Sequence, residues 1–139
     1  MLKSSLTHRA LAPVVFVAAL LVAGCASLGN STPEEKVQQR AEAFWQARMK
    51  GEPEKAYALL SPAYRKVRTL EQYRAQYGSA TGVKSASVVK VACETEKCTV
   101  RIKIEAAPAL MGVNVGTIAT GLDETWLWED GQWWRFQSL

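Results

Sequence analysis

The stretch "KCTVRIKIEA", Lys97–Ala106, alternates apolar and polar residues without a break. Strict alternation is typical of a β-strand that buries one face and exposes the other. The apolar set consists of Cys98, Val100, Ile102, Ile104 and Ala106. This segment therefore predicts a half-buried strand, and the neighbouring segments can be aligned on it.

The preceding segment, Val83–Cys93, predicts an antiparallel partner strand. A hairpin across residues 94–97 sets Cys93 opposite Cys98, Val91 opposite Val100 and Val89 opposite Ile102. All of these side chains fall on one face. A slip of one residue would turn the whole set toward solvent, which favours this register.

The end of the chain predicts a second hairpin. Asp130-Gly131 suits a two-residue turn between strands at 117–129 and 132–138. In that register one face carries Leu127, Trp134 and Phe136, and the other carries Trp126, Trp128 and Trp133. Both faces of this hairpin therefore need to be covered.

Helix signals come before the strands. Thr32-Pro33-Glu34-Glu35 is a capping box with a proline at the first helical position, and the helix that it starts should end at Gly51. Residues 53–60 predict a short second helix, and Ser61-Pro62 begins a further turn. A second capping box at Thr69 starts a third helix that ends at Gly78.

The first 24 residues have the order of a secretory signal peptide. Lys3 and Arg9 precede an apolar run at 10–23, which is shorter than a membrane span and broken by Pro13. The motif Val22-Ala23-Gly24-Cys25 resembles the lipobox of bacterial lipoproteins. An ordinary signal peptide with an incidental cysteine is the alternative.

The lipobox resemblance implies cleavage after residue 24 and acylation of Cys25, which anchors the chain in a lipid bilayer. Residues 25–32 would form a short tether, and residues 33–139 a single domain. Because Ala26 and Ser27 follow the cysteine rather than Asp, we expect the periplasmic face of the outer membrane. Loss of the leader lowers the formal net charge from +4 to +2, too little to favour a nucleic-acid partner.

In that oxidising compartment, Cys93 and Cys98 predict a disulfide across the first hairpin. Two reduced thiols in the core are the alternative. Two cysteines are too few ligands for a metal, and the mature chain has no histidine to join them. We therefore expect no metal and no cofactor.

The predicted helices are followed by a meandering sheet, and the chain contains "FWQARMKGEPEKAYALLSP" at 44–62 and a closing Gly-x-x-Trp-x-Phe pattern at 131–136. In these features the chain resembles the nuclear transport factor 2-like superfamily, particularly its small bacterial lipoproteins. The resemblance implies an α+β fold. Three N-terminal helices would pack on a curved, mixed or antiparallel sheet of four to five strands, forming a cone with an interior cavity.

Isomerase and cyclase members of that superfamily use an Asp or His inside the cone. The only histidine here, His8, leaves with the leader, so the sheet carboxylates Asp123, Glu105 and Glu124 are the remaining candidates. No nucleophile elbow or phosphate-binding glycine loop is present in the sequence. We therefore predict no catalysis, with an isomerase-like or cyclase-like enzyme as the weakest alternative.

The sequence favours a non-catalytic binding or interaction module. Trp126, Trp128 and Trp133 would either be covered within one chain or form an interface with a second copy or another envelope protein. The alternative function is a carrier or sensor of a small hydrophobic ligand in the cone. Met111, Val113 and Val115 would then form a flap over its mouth, or else belong to an edge strand.

Overall fold

The computed structural model describes residues 31–78, 80, 82–107 and 116–139. The expected leader, the lipobox with Cys25, most of the tether and the proposed flap residues Met111, Val113 and Val115 lie outside these ranges. None of the helices in the described ranges combines the length and hydropathy needed to span a bilayer.

The helices precede the sheet, as the sequence predicts. They are α1 (Pro33–Lys50), α2 (Pro53–Ala58), α3 (Pro62–Val67) and α4 (Leu70–Tyr77). Both predicted capping boxes are present, with Thr32 and Thr69 each accepting a backbone N–H from the third helical residue. The sequence predicts only a turn after Ser61. The structure instead forms α3 there, a six-residue helix capped by the Ser61 side chain.

The four strands form one antiparallel sheet in the order of the chain. They are β1 (Val83–Cys93), β2 (Lys97–Ala106), β3 (Ile118–Glu129) and β4 (Gln132–Arg135). With the helices packed on one face, this confirms the predicted α+β class. Asp130 and Gly131 both have positive φ, which is the conformation that a tight two-residue hairpin requires.

β4 ends at Arg135, earlier than predicted, and another segment pairs with its far edge. The Arg135 N–H donates to the Leu59 carbonyl, and the Ser61 N–H donates to the Arg135 carbonyl, each at 3.0 Å. This parallel bridge covers the β4 edge and brings the start of α3 beside the end of the sheet. The Phe136 N–H still donates to the Thr125 carbonyl of β3 at 2.8 Å, and residues 136–139 form an irregular C-terminal segment.

The register of the first hairpin is confirmed near its turn and wrong farther along. Cys93 pairs with Cys98 and Val91 with Val100, but Val88, not Val89, lies opposite Ile102. A β-bulge inserts one extra residue there and turns Val89 outward, with 61% of its surface exposed. The Cys93 and Cys98 sulfurs are bonded to each other.

The core lies between α1 and the concave face of the sheet. Phe44 and Trp45 of α1 are buried there, together with the alternate residues Cys98, Val100, Ile102 and Ile104 of β2. Fully burying one such side chain stabilises a fold by about 1.5–3 kcal/mol. The alternation of apolar and polar residues in β2 therefore marks the main contribution of the sheet to the core.

Of the two alternatives for the tryptophan face, coverage within one chain applies to two of its three rings. Trp126, Trp128 and Trp133 share one face as predicted, but Trp126 pairs with Cys98, so this face is the concave one. Trp126 and Trp133 are buried in the core of the single chain at 0% and 3% exposure, which leaves neither free for an interface. Trp128 is 38% exposed.

Candidate functional site

Glu124 is the one sheet carboxylate of the three candidates that enters the interior. It lies opposite Val100 in the sheet, so the pleat directs it to the concave face, where it is only 3% exposed. Its Oε1 accepts hydrogen bonds from Trp45 Nε1 at 3.1 Å and from Arg135 Nε at 2.9 Å. A helix and two strands therefore hold this carboxylate in place.

The other two carboxylates lie on the convex, solvent-facing side of the sheet. Asp123 forms an ion pair with Arg101, in which both side chains are about half exposed. Glu105 accepts hydrogen bonds from Lys103 and Ser85, which lower the pKa of its carboxyl group. Glu105 therefore lies on the polar face of the alternating strand β2.

A chain of polar contacts leads from Glu124 toward the helices. The Arg135 guanidinium lies 4.4 Å from the centre of the Phe44 ring, and its Nη1 donates to Gln137 Oε1 at 2.6 Å. Gln137 Nε2 then donates to the Tyr77 hydroxyl at 3.2 Å. Through these contacts the last residues of the chain are joined to α4.

Arg48 and a row of tyrosines lie at the other end of these contacts. The Arg48 guanidinium is about 6 Å from the ring centres of Phe44, Trp45 and Tyr77, within cation–π range. Tyr73 packs against Tyr77 with ring centres 5.5 Å apart. Burial raises the pKa of the Tyr73 hydroxyl, and the positive charge of Arg48 only partly opposes this effect.

Four buried polar atoms in and around this interior have no hydrogen-bond partner within the described ranges. They are Glu124 Oε2, Tyr73 Oη, Trp126 Nε1 and Arg48 Nε. A buried polar atom left without a partner costs about 1–3 kcal/mol. Such atoms in a native protein are usually satisfied by ordered water or by a ligand.

An apolar groove lies outside the core, between α3 and the C-terminal segment. It has a volume of about 340 Å³, and its apolar walls include Tyr64, Val67, Leu127, Phe136 and Leu139. Three of these residues, Val67, Phe136 and Leu139, are largely exposed. The volume lies within the range of small-molecule sites in proteins.

Sequence reasoning missed this groove because its walls come from segments far apart in the chain. Leu127 and Phe136 were assigned to one face of the last hairpin, but α3 was expected to be only a turn. The sequence did contain one signal of the groove. Phe136 and Leu139 are apolar residues that lie beyond the end of β4 at Arg135.

Comparison with known proteins gives a fold and no family. No protein-family model matches the chain. No curated protein matches it in sequence.

Among solved structures, the chain is similar to a SEC-C motif containing protein from Psychrobacter arcticus, at 12% identity and a TM-score of 0.59 over 78% of this chain. That match spans only 63% of the Psychrobacter chain. It is also similar to TsrD from Streptomyces laurentii, at 24% identity and a TM-score of 0.54, over 76% of this chain and 87% of the other.

A Campylobacter jejuni protein described as an NTF2-like transpeptidase matches at 12% identity and a TM-score of 0.47, over 78% of this chain and all of the other. The Psychrobacter and Streptomyces likenesses extend to the fold alone. The function of this chain has to be argued from its own residues.

Proposed function

We propose that this chain is a lipid-anchored protein of the bacterial envelope, and that its folded domain is a non-catalytic binding module of the nuclear transport factor 2-like type. The sequence Val22-Ala23-Gly24-Cys25 supports the anchor. The Cys93–Cys98 disulfide agrees with an oxidising compartment such as the periplasm.

The observation that carries the binding role is the contrast between the interior and the groove. Phe44, Trp45 and Trp126 fill the interior around Glu124, and that carboxylate already accepts two hydrogen bonds on one oxygen. The groove beside α3, in contrast, presents open apolar walls. We therefore place the ligand in the groove and not in the cone, and we expect it to be a small hydrophobic molecule.

The groove is tested with Nile red, an uncharged fluorescent probe of apolar sites, added to the chain starting at Ala26. This form keeps every described helix and strand. Val67→Ser removes an apolar wall, and Val89→Ser is the matched control, because the two valines are 59% and 61% exposed. Saturable binding that weakens only in Val67→Ser supports the groove; equal binding by both variants contradicts it.

The anchor is tested by labelling the full chain with palmitate in a bacterial host. Cys25→Ser should abolish the label and release the protein from membranes, whereas Cys93→Ser should leave the label in place. Labelling that persists in Cys25→Ser would contradict acylation at this cysteine. The outer membrane is then distinguished from the inner one by density fractionation.

A second candidate function is association with another copy of the chain or with an envelope protein through Trp128. The exposed ring of Trp128 contacts Trp133 with ring centres 5.3 Å apart, and depressions lie on both of its sides. Aromatic residues of this kind are enriched at protein interfaces. This candidate keeps only one of the three tryptophans considered from the sequence.

A further inference from the structure

Arg48, like Arg40 and Arg65, is a half-buried arginine whose Nε has no hydrogen-bond partner in the described ranges, but it is the one of the three that lies beside the Tyr73 and Tyr77 hydroxyl groups. It lies near the C-terminal end of α1, half-buried among aromatic rings. In the ranges that the structure describes, no Asp or Glu lies within ion-pairing distance of it, whereas Arg135 is paired with Glu124. Among the described residues, Glu124 therefore pairs with Arg135 and leaves the positive charge of Arg48 without a carboxylate partner.

An uncompensated positive charge in such a place has a physical consequence. A half-buried cation is poorly screened by water, so it attracts a counter-ion more strongly than an exposed cation does. The guanidinium also presents a planar fork of N–H donors that matches a carboxylate or a phosphate. Arg48 Nε is itself buried without a hydrogen-bond partner among the described residues.

Two hydroxyl groups close to Arg48 can serve the same anion. The Tyr73 hydroxyl is buried, and Arg48 lies close enough to donate toward its oxygen and to oppose the rise of its pKa, which leaves the Tyr73 proton without an acceptor among the described residues. The Tyr77 hydroxyl accepts a hydrogen bond from Gln137, which leaves its own proton free to donate. Both tyrosines come from α4, and their rings are in contact.

We propose that Arg48, Tyr73 and Tyr77 bind one oxyanion group, a carboxylate or a phosphate, where the end of α1 meets α4. The guanidinium supplies the charge and a forked pair of hydrogen bonds, and the tyrosines supply neutral donors. This site borders the apolar groove, because Gln137 both lines the groove and donates to the Tyr77 hydroxyl, but Arg48, Tyr73 and Tyr77 do not themselves line the groove.

The test follows the ¹⁵Nε resonance of Arg48 while sodium phosphate or sodium acetate is added at constant ionic strength, with sodium chloride as the reference salt. The chain begins at Ala26, and its folding is checked first by circular dichroism. A saturable shift of this resonance with phosphate or acetate supports the site, and the anion that saturates identifies the ligand chemistry. A shift no larger than that given by chloride overturns it.

Three variants separate binding from folding. Because Arg48→Lys removes the arginine resonance, the anion affinity of every variant is read from the backbone amide resonance of Tyr77. Arg48→Lys keeps the charge but loses the fork, and Tyr73→Phe loses only an oxygen atom; each should weaken the anion about tenfold or more. Arg68→Lys is the matched control, because Arg68 is also half-buried and, among the described residues, its side chain forms no hydrogen bond or ion pair with Arg48, Tyr73 or Tyr77; it should bind as the parent chain does. Equal weakening in Arg68→Lys, or unchanged binding in Tyr73→Phe, would contradict the assignment.

Discussion

The Trp45 indole N–H donates to the buried Glu124 carboxylate at 3.1 Å, joining the first helix to the third strand across 79 residues of sequence. The same carboxylate oxygen accepts from Arg135. These contacts define the centre of the fold, where a charged pair and its polar neighbour are enclosed by aromatic side chains.

Truncation of Glu124 should destabilise the protein strongly. Glu124→Ala leaves Arg135 as an unpaired, mostly buried charge, and loss of one partner of a buried ion pair costs about 3–5 kcal/mol. Urea unfolding of the chain from Ala26 measures this loss. The double variant Glu124→Leu/Arg135→Met should recover much of it, because apolar replacements leave no buried charge. A loss below about 1 kcal/mol in Glu124→Ala would contradict a structural ion pair.

Removal of the disulfide should have a smaller effect. On the chain-entropy model, a bridge that closes so short a loop stabilises the fold by roughly 2 kcal/mol, so Cys93→Ala/Cys98→Ala should lower the free energy of unfolding by that amount. The intact mass of protein purified without reductant should be two hydrogens lower than that of the reduced chain. Free thiols in such a preparation would contradict the bridge.

Substitution of a core tryptophan should lower stability, whereas substitution of the surface tryptophan Trp128 should not. Trp126→Ala opens a cavity in the core and should cost about 3–5 kcal/mol of stability. Trp128→Ser should leave a folded monomer and affect only association, measured by analytical ultracentrifugation. If Trp128→Ser unfolds the chain, its ring contributes to the core and the second candidate function fails.

Stability should fall at alkaline pH because of buried tyrosines. Burial raises the pKa of Tyr73 above its ordinary value of 10.0, so the folded state favours the neutral hydroxyl. This contribution is fully present below pH 10 and is lost as the pH rises through the raised value. Tyr73→Phe should flatten that part of a plot of urea midpoint against pH. An unchanged slope in Tyr73→Phe would assign the effect to other groups, such as Tyr64, whose pKa burial also raises.

Local signals predicted the elements well and the long-range arrangement less well. The capping boxes at Thr32 and Thr69 and the alternation of Lys97–Ala106 act within a few residues, and each is present in the structure. The bulge at Val89 was not predictable from "SVVKV", because two adjacent valines fit either register. The α3 helix has only six residues and carries too short a pattern to distinguish it from a turn.

The candidate site depended on a choice that the sequence left open. Aromatic residues occur on both faces of the last hairpin, so the sequence does not indicate which face packs on α1. In the structure, the face that carries Trp126 and Glu124 packs on α1 and is buried. Leu127 and Phe136 lie on the side of the apolar groove. The cluster of Arg48 with Tyr73 and Tyr77 joins two helices whose contact only the tertiary fold defines.

Native mass spectrometry of the chain from Ala26, purified from a periplasm without reductant, tests the binding role most directly. We expect the parent chain and Val89→Ser each to be a monomer that carries one added small apolar molecule. Phe136→Ser, which removes a groove wall, should lose that mass while remaining folded. An unliganded parent chain, or the same ligand retained by Phe136→Ser, would contradict binding in the groove.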